Sequence, residues 1–424
     1  MKLTRRTCLL GATGALATAG IQSLNSKLSE APGVSASIKA ETIPSSQPQE
    51  LLVVIFLRGG CDGLNLVAPV DDPNYVAARP SHLRVQNRGR KAGLPLRNAP
   101  ADLDFRLHAA APELKELYDD GSLALVHACG LTNGTRSHFE AQTLMELGTA
   151  TDKGLTTGWL TRAIAPSDAS GLIPVVAISP SLPTSLLGST SAVAMADMEE
   201  FMSAGETIPF TILNQLYQGN TPVHVAGTRT LDSLQALNRL SQQEAPFKDL
   251  EGVESYSDDY GYELGRGLRT ITNLAKWDLG LQVATIDYDD WDTHVDQSWQ
   301  FSELVAGLSQ SLAAFYEDVT RYRDRVTVLV MTEFGRRLRA NDSDGTDHGL
   351  GSVMFVLGNQ VQGGRIYGQW PGLATEQLDR GADLAITTDF RTVLGEYLIR
   401  RVQIPELENV FPNLKSYEPL NIFK

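Results

Sequence analysis

Three cysteines in 424 residues are too few for a disulfide scaffold. Basic residues are scarce as well: Lys+Arg total 36 against 50 Asp+Glu, a formal net charge of −14. A surface that acidic lacks the positive footprint that displaces counterions from a nucleic acid, so no nucleic-acid partner is expected. No apolar run reaches the roughly 18 residues that a membrane helix needs, and no permanent membrane span is expected either. Gly (37) and Pro (20) are near average usage, which excludes collagen-like, disordered and coiled-coil chains. What is present, 42% hydrophobic and 20% charged residues, is ordinary for a globular chain long enough to bury a large core.

The first 19 residues read MKLTRRTCLLGATGALATA. A basic head (Lys2, Arg5, Arg6) precedes a mildly apolar run from Cys8 to Ala19, and Ala17-Thr18-Ala19 offers a small-x-small cleavage site. Together these make an export signal rather than a membrane helix. The Arg5-Arg6 pair resembles a twin-arginine signal, read by a machinery that carries folded proteins, often with a metal or cofactor already loaded. The expected location is periplasmic or secreted, and the first partner is that export machinery. Cys8 precedes the apolar run, against a lipoprotein. Residues 20–49, rich in Ser, Ala, Pro and Gln, read as a tether. Cys61 and Cys129 remain after cleavage, either paired or packed as thiols.

Residues 50–424 read as a single α/β domain, with 180–260 as an insertion or lid. Leu51 to Leu57 is a continuous apolar, β-branched run, the pattern of a strand buried on both faces. Similar runs recur at Leu123 to Ala128, Pro174 to Ile178, Leu281 to Ile286, Val326 to Met331 and Val353 to Leu357. Phe301, Leu304, Val305, Leu308, Leu312, Phe315 and Val319 recur at helical spacing, as do Phe390, Val393, Leu394, Tyr397 and Leu398, with Thr388 or Asp389 as cap. Alternating strands and helices predict a doubly wound, mostly parallel central sheet with helices on both faces.

In such a sheet ligands collect beyond the carboxyl ends of the strands, so the residues there matter most. Arg58-Gly59-Gly60-Cys61-Asp62 follows the first run, and Thr135-Arg136-Ser137-His138 follows the second. Asp292-Thr293-His294 and Glu333-Phe334-Gly335-Arg336 follow later runs, and Asp347-His348 precedes the last. Three of only seven histidines (His138, His294, His348) therefore sit beside carboxylates at strand ends. Carboxylate oxygen with imidazole nitrogen is the mixture that borderline divalent metals take. The ligand candidates are Asp62, Asp292, His294, His348 and Glu333, the last being either a ligand or a partner of Arg336 or Arg391. Zinc, manganese and calcium are not distinguished, and the absence of any metal stays open. Ser137 and Thr135 are the candidate nucleophiles, or helix caps, and Arg58 or Arg136 would clamp an anion. His108 and His127, in apolar settings, read as core or capping histidines.

The ordered motifs FLRGGCDGLN, TRSHFEAQ, WDTHVDQ, TEFGR and GTDHG resemble the DUF1501 family (domain of unknown function) of secreted bacterial proteins. That family is similar in turn to the alkaline phosphatase and sulfatase superfamily. The resemblance implies a central sheet with a metal site at its carboxyl edge and a small anionic ester or glycan as substrate. In it Asp62 matches the carboxylate ending the first strand, Ser137 or Thr135 the nucleophile segment, Asp292 and His294 one ligand segment, and His348 the late histidine. Two departures stand out. Glu333-Phe334 occupies the place of an Asp-His pair, and the sulfatase Cys-x-Pro-x-Arg signature is absent, so one metal or none is implied. The expected function is a metal-dependent hydrolase of phosphate or sulfate esters. The alternative is a non-catalytic envelope protein whose degenerate site binds a glycan or protein partner.

Replacing both Arg5 and Arg6 by Lys is expected to leave an uncleaved precursor in the cytoplasm, checked by fractionation and immunoblotting. Normal export of that variant would overturn the twin-arginine reading.

Overall fold

The structure is a computed structural model. It describes residues 49–424 apart from 90, 101–102, 152–153, 165–170, 208–209, 242–255, 257–260 and 415. The export signal and nearly all of the tether lie outside the described residues.

Strand β1 (Leu51–Leu57) is buried along its whole length. Its alternate residues split between two cores. Leu51, Val53, Ile55 and Leu57 join one cluster, and Leu52, Val54 and Phe56 join the other. That is the period-two geometry of a strand covered on both faces, and it explains why the sequence is continuously apolar instead of alternating. The remaining sheet strands are β2 (Leu123–Gly130), β3 (Val175–Ile178), β4 (Ala192–Ala194), β5 (Val283–Tyr288) and β6 (Val326–Thr332). After a hairpin of β7 (Arg336–Ala340) and β8 (Thr346–His348) come β9 (Ser352–Leu357), β10 (Ile366–Tyr367) and β11 (Thr388–Asp389). The nine-stranded sheet runs β10-β2-β9-β6-β1-β5-β3-β4, with β11 also paired to β2. β1 is therefore interior, with Leu52 opposite Val283 on β5 and Leu51 opposite Val326 on β6.

Every pairing in this sheet is parallel except those of β9, which runs against β2 and β6. The reversal has a local cause. β6 ends at the carboxyl edge, the β7–β8 hairpin folds on that edge, and β9 starts from it with no crossover to carry the chain back. The hairpin is thereby held where ligands collect.

Helices α1 (His138–Glu146), α2 (Pro222–Ser241), α3 (Tyr262–Lys276) and α4 (Gln297–Asp318) lie between strands, and α5 (Phe390–Tyr397) follows the last one. Leu268 and Ile271 of α3 pack with Phe301, Leu308 and Leu312 of α4 on one face, while Leu144 of α1 and Val393 and Leu394 of α5 pack on the other. Asp389, not Thr388, caps α5, its carboxylate accepting the Arg391 amide. Residues 180–260 hold β4, two shorter helices (Met198–Thr207 and Phe210–Leu216) and α2. Among the described residues no helix is long and apolar enough to cross a membrane. Cys61 and Cys129 are both free and buried, so the pairing left open by the sequence is not made.

His127, on β2, is buried as its apolar setting suggested. Its Nε2 donates to the Val67 carbonyl at 2.8 Å and its Nδ1 accepts the Ala128 amide at 2.9 Å, so the neutral ring is fully satisfied. Burial pushes its pKa down to about 4. The unfolded chain then binds a proton that the fold refuses as pH falls from about 6.5 to 4, and stability is lost across that window on the order of 3 kcal/mol. His127→Gln is expected to flatten the slope of unfolding free energy against pH by about one proton, read from urea titrations between pH 4.5 and 7. An unchanged slope would exclude this group as an acid trigger.

Candidate metal centre

The carboxyl edge is assembled around a buried guanidinium. Arg336, the first residue of β7, is 1% exposed. Its Nε donates to the Gly60 carbonyl at 2.6 Å and its Nη1 to Thr346 at 2.8 Å. Its Nη2 reaches the Gly59 and Trp291 carbonyls and the Asp292 carboxylate, the last at 2.6 Å. Loops after β1 and β5 are thus tied to the β7–β8 hairpin. Their close approach needs the two glycines: a Cβ on Gly59, whose φ is +122°, would sit 2.4 Å from the Asp292 amide nitrogen. Trp291, fully buried edge-on against Tyr288 and Phe301, anchors the loop that carries Asp292 and His294.

Four side chains meet there. The Nε2 atoms of His138 and His294 lie 3.0 Å and 2.8 Å from Nε2 of His348. Asp292 Oδ1 is 3.2 Å from His348 Nε2 and 3.1 Å from His294 Nε2, and Oδ2 is 3.5 Å from His138 Nε2. One donor atom each from His138, Asp292 and His348 fall within 4.8 Å of one another. His294 stands beside this trio, against Asp292 and His348.

The opposite ring nitrogens decide what these atoms offer. Nδ1 of His138 donates to Glu333 Oε1 at 2.7 Å, and Nδ1 of His348 to the Arg136 carbonyl at 2.9 Å. His294 aims Nδ1 at Asp347 Oδ1, 3.4 Å away. All three partners are pure acceptors, so each Nδ1 carries a proton, and each ring, when neutral, presents an Nε2 lone pair. Three lone pairs and a carboxylate facing one another are repulsive without a positive charge between them. This donor set fits a divalent cation: nitrogen and oxygen ligands, with outer groups orienting each imidazole. About half of the Asp292 side chain is exposed, which leaves the centre open to a ligand from solvent.

Electrostatics support the same geometry. Burial pushes the Asp292 carboxyl up, but the Arg336 hydrogen bond and charge bring it below its ordinary value, so it stays anionic. The hydrogen bond to Glu333 raises the pKa of His138, whereas burial lowers that of His348. Burial opposes the Glu333 charge, yet its hydrogen bonds, led by that from His138, hold it below the carboxylate range.

Of the residues expected from sequence, the edge brings together Asp292, His294 and His348. Asp62 is not among them. It is fully buried, and both its oxygens are taken by Arg79 (2.6 and 3.0 Å) with Gln297 donating to Oδ2 at 2.7 Å. Glu333 is an orienting group rather than a ligand, because His138, the Gly59 amide and Gln142 all donate to its Oε1. It pairs with neither Arg336, which holds Asp292, nor Arg391, which holds Asp389. Arg58 is ion-paired through Nη2 with Glu146 and Asp287, and Arg136 with Asp383, so the charge of each guanidinium is already matched by a carboxylate. Ser137 is exposed at the start of α1 and makes no capping bond, while the Thr135 hydroxyl donates to Glu140 at 2.7 Å.

The ligand that sequence reasoning left out is His138, although it stood in the same strand-end segments. Its signal was the helical spacing of His138 and Gln142, which puts both on one face toward Glu333. Phe334, whose ring lies 4.8 Å and 4.9 Å from those of His138 and His348, forms the floor beneath them.

Fold and site define an α/β protein with a candidate metal centre at the carboxyl edge of its central sheet. By sequence, residues 150–404, more than half of the chain, match the family described as "Protein of unknown function (DUF1501)", and the chain belongs to that family. No curated protein matches it. Among solved structures, the PsFucS1 sulfatase from Pseudoalteromonas sp. is similar with TM-score 0.31 and 7% identity, covering 75% of this chain and 64% of that one. Ps i-CgsB gives 0.29 and 9%, over 75% and 68%. A mutant of the alkaline phosphatase PafA gives 0.28 and 10%, over 69% and 64%. This chain thus spans less than two thirds of the first of these relatives.

Metal analysis after loading separates the two carboxylate roles. His138→Ala and His348→Ala are expected to lose bound metal with the fold retained, and Glu333→Gln to weaken binding about 10–100-fold. Asp62→Asn is expected to keep its metal but to cost about 3–5 kcal/mol in urea unfolding, because Arg79 is left buried without its counter-ion. Metal loss in a stable Asp62→Asn variant would return Asp62 to the ligand set.

Proposed function

We propose that this is an exported, metal-dependent hydrolase of phosphate or sulfate esters, acting on a small anionic substrate outside the cytoplasm. The observation that carries the reading is the convergence of imidazoles of fixed tautomer with a half-exposed carboxylate at the carboxyl edge. A divalent ion would be held by His138, Asp292 and His348, with His294 beside them, and would there supply Lewis-acid polarisation of an ester oxygen.

The other roles belong to the chain's own residues. Asp292 offsets cationic charge while Arg336 fixes its orientation. Glu333 and the Arg136 carbonyl keep the two ligating rings turned inward. Phe334 excludes water from beneath the His138 and His348 rings. Ser137 is the nucleophile of this reading: its exposed hydroxyl immediately precedes His138, whereas the Thr135 hydroxyl is committed to Glu140.

A second reading, a non-catalytic protein that binds a glycan, has observations of its own. Arg58 and Arg136 are each paired with a carboxylate, so neither of the expected pair carries an unmatched charge for an ester anion. Phe139, next to His138 and 86% exposed, offers a ring on which a sugar stacks.

Purified protein is to be assayed for metal content and for hydrolysis of 4-nitrophenyl phosphate and sulfate, with and without chelator. Metal-dependent turnover that falls to background in Ser137→Ala and His348→Ala supports the hydrolase. Bound metal with no turnover of either ester favours the binding reading. Absence of bound metal after loading removes the metal-dependent hydrolase.

A further inference from the structure

Beside the start of α4 lies a cavity of about 270 Å³. Its lining includes Arg84, Lys91, His82, His108, Ser298 and Ser302, and no Asp or Glu. In a chain of net charge −14, a concavity walled only by cationic and neutral groups is a local inversion of sign.

The cations there are underused. Elsewhere Arg58, Arg79, Arg136, Arg336 and Arg401 each hold a carboxylate. Arg84 and Lys91 pair with none among the described residues. Arg84 turns one nitrogen to the Val76 and Arg79 carbonyls, which fixes its guanidinium and leaves other donors over. Lys91 donates to Ser298 Oγ at 3.2 Å, one bond from an ammonium that has three donors.

His108 adds a neutral donor. Its Nδ1 accepts the Ala110 amide at 3.2 Å, which places the ring proton on Nε2, and no acceptor among the described residues takes that proton. Burial holds the pKa near 4, so the ring is uncharged at neutral pH. Ser298 and Ser302, one helical turn apart on α4, also line the cavity, but their hydroxyl protons are spent on the His82 and Ser298 carbonyls at 2.9 and 2.7 Å. At the rim His82 is held by Asp344 at 2.9 Å, which keeps that carboxylate paired at the mouth.

We propose that this cavity is a binding site for a compact oxyanion group, the phosphate or sulfate of a small ester, separate from the metal centre. A tetrahedral oxyanion needs several donors and a net positive wall, and Arg84, Lys91 and His108 supply both. The volume admits the anionic group with a few further atoms, not an extended chain.

The test is a thermal-shift and calorimetric titration of purified protein with inorganic phosphate and with inorganic sulfate, ionic strength held constant with sodium chloride. Saturable stabilisation by either anion, weakened at least about tenfold by Lys91→Gln, restored by Lys91→Arg and unchanged in His348→Ala, supports the site. Preference for phosphate or for sulfate identifies the class of ester. A shift matched by chloride alone, or one that persists in Lys91→Gln, would overturn it. Loss of the shift in His348→Ala with Lys91→Gln intact would assign the anion to the metal centre and also overturn it. The result is independent of whether any ester is hydrolysed.

Discussion

A single buried cation holds the carboxyl edge of this sheet together. Arg336 is sealed from water, and a guanidinium in that setting is tolerable only when its donors are nearly all met. Its partners are carbonyls of Gly59, Gly60, Trp291 and Thr346 and the carboxylate of Asp292. They come from three different segments, so satisfying one side chain fixes three loops relative to one another. The price falls on the backbone, since Gly59 and Gly60 must adopt positive φ to bring their carbonyls in. Asp292 gains a fixed rotamer from the same bond, with Oδ1 held by Arg336 and Oδ2 turned toward His138.

A second buried ion pair, Asp62 with Arg79, works beside the first. Arg79 also donates to the carbonyls of Leu338 and Arg337, on β7. Gln297 donates to Asp62 with its amide and accepts from Thr346 with its carbonyl oxygen. Loop after β1, hairpin and start of α4 are thereby linked through groups that never face the open centre. Removing either charge leaves the other buried alone, and this makes the pair a determinant of where His348 sits without being part of the ligand set.

Those two pairs mark where reading the sequence succeeds and where it stops. The strands were legible because burial on both faces demands unbroken apolar runs, and the helices because one-sided burial demands a 3.6-residue period. The convergence of Asp292, His294 and His348 followed from topology, since all lie at the carboxyl edge. The partner of a given carboxylate was not legible. Asp62 and Asp292 both follow strands near glycines or aromatics, and only the tertiary arrangement gives one to Arg79 and leaves the other half in solvent. His138 was obscured for a related reason: a histidine at the start of a helix looks the same whether its far nitrogen meets water or another imidazole. Glu333-Phe334 looked like the loss of an imidazole, yet Glu333 orients the ring of His138 and Phe334 lies beneath it.

The hairpin loop also joins the candidate centre to the cation-lined cavity. Asn341 accepts the Ser343 and Gly345 amides with its side-chain oxygen and donates to the His294 carbonyl, so the loop is tied to the ligand segment. Asp344 gives its carbonyl to the Gln297 amide and its carboxylate to His82 at the cavity mouth. An anion bound beside His82 therefore competes with Asp344 for that ring. Any displacement of Asp344 acts on the loop whose next strand, β8, ends in His348. Charge at the cavity and geometry at the centre are thus connected through one five-residue turn, and the strength of that connection is set by the His82–Asp344 pair, exposed and correspondingly weak.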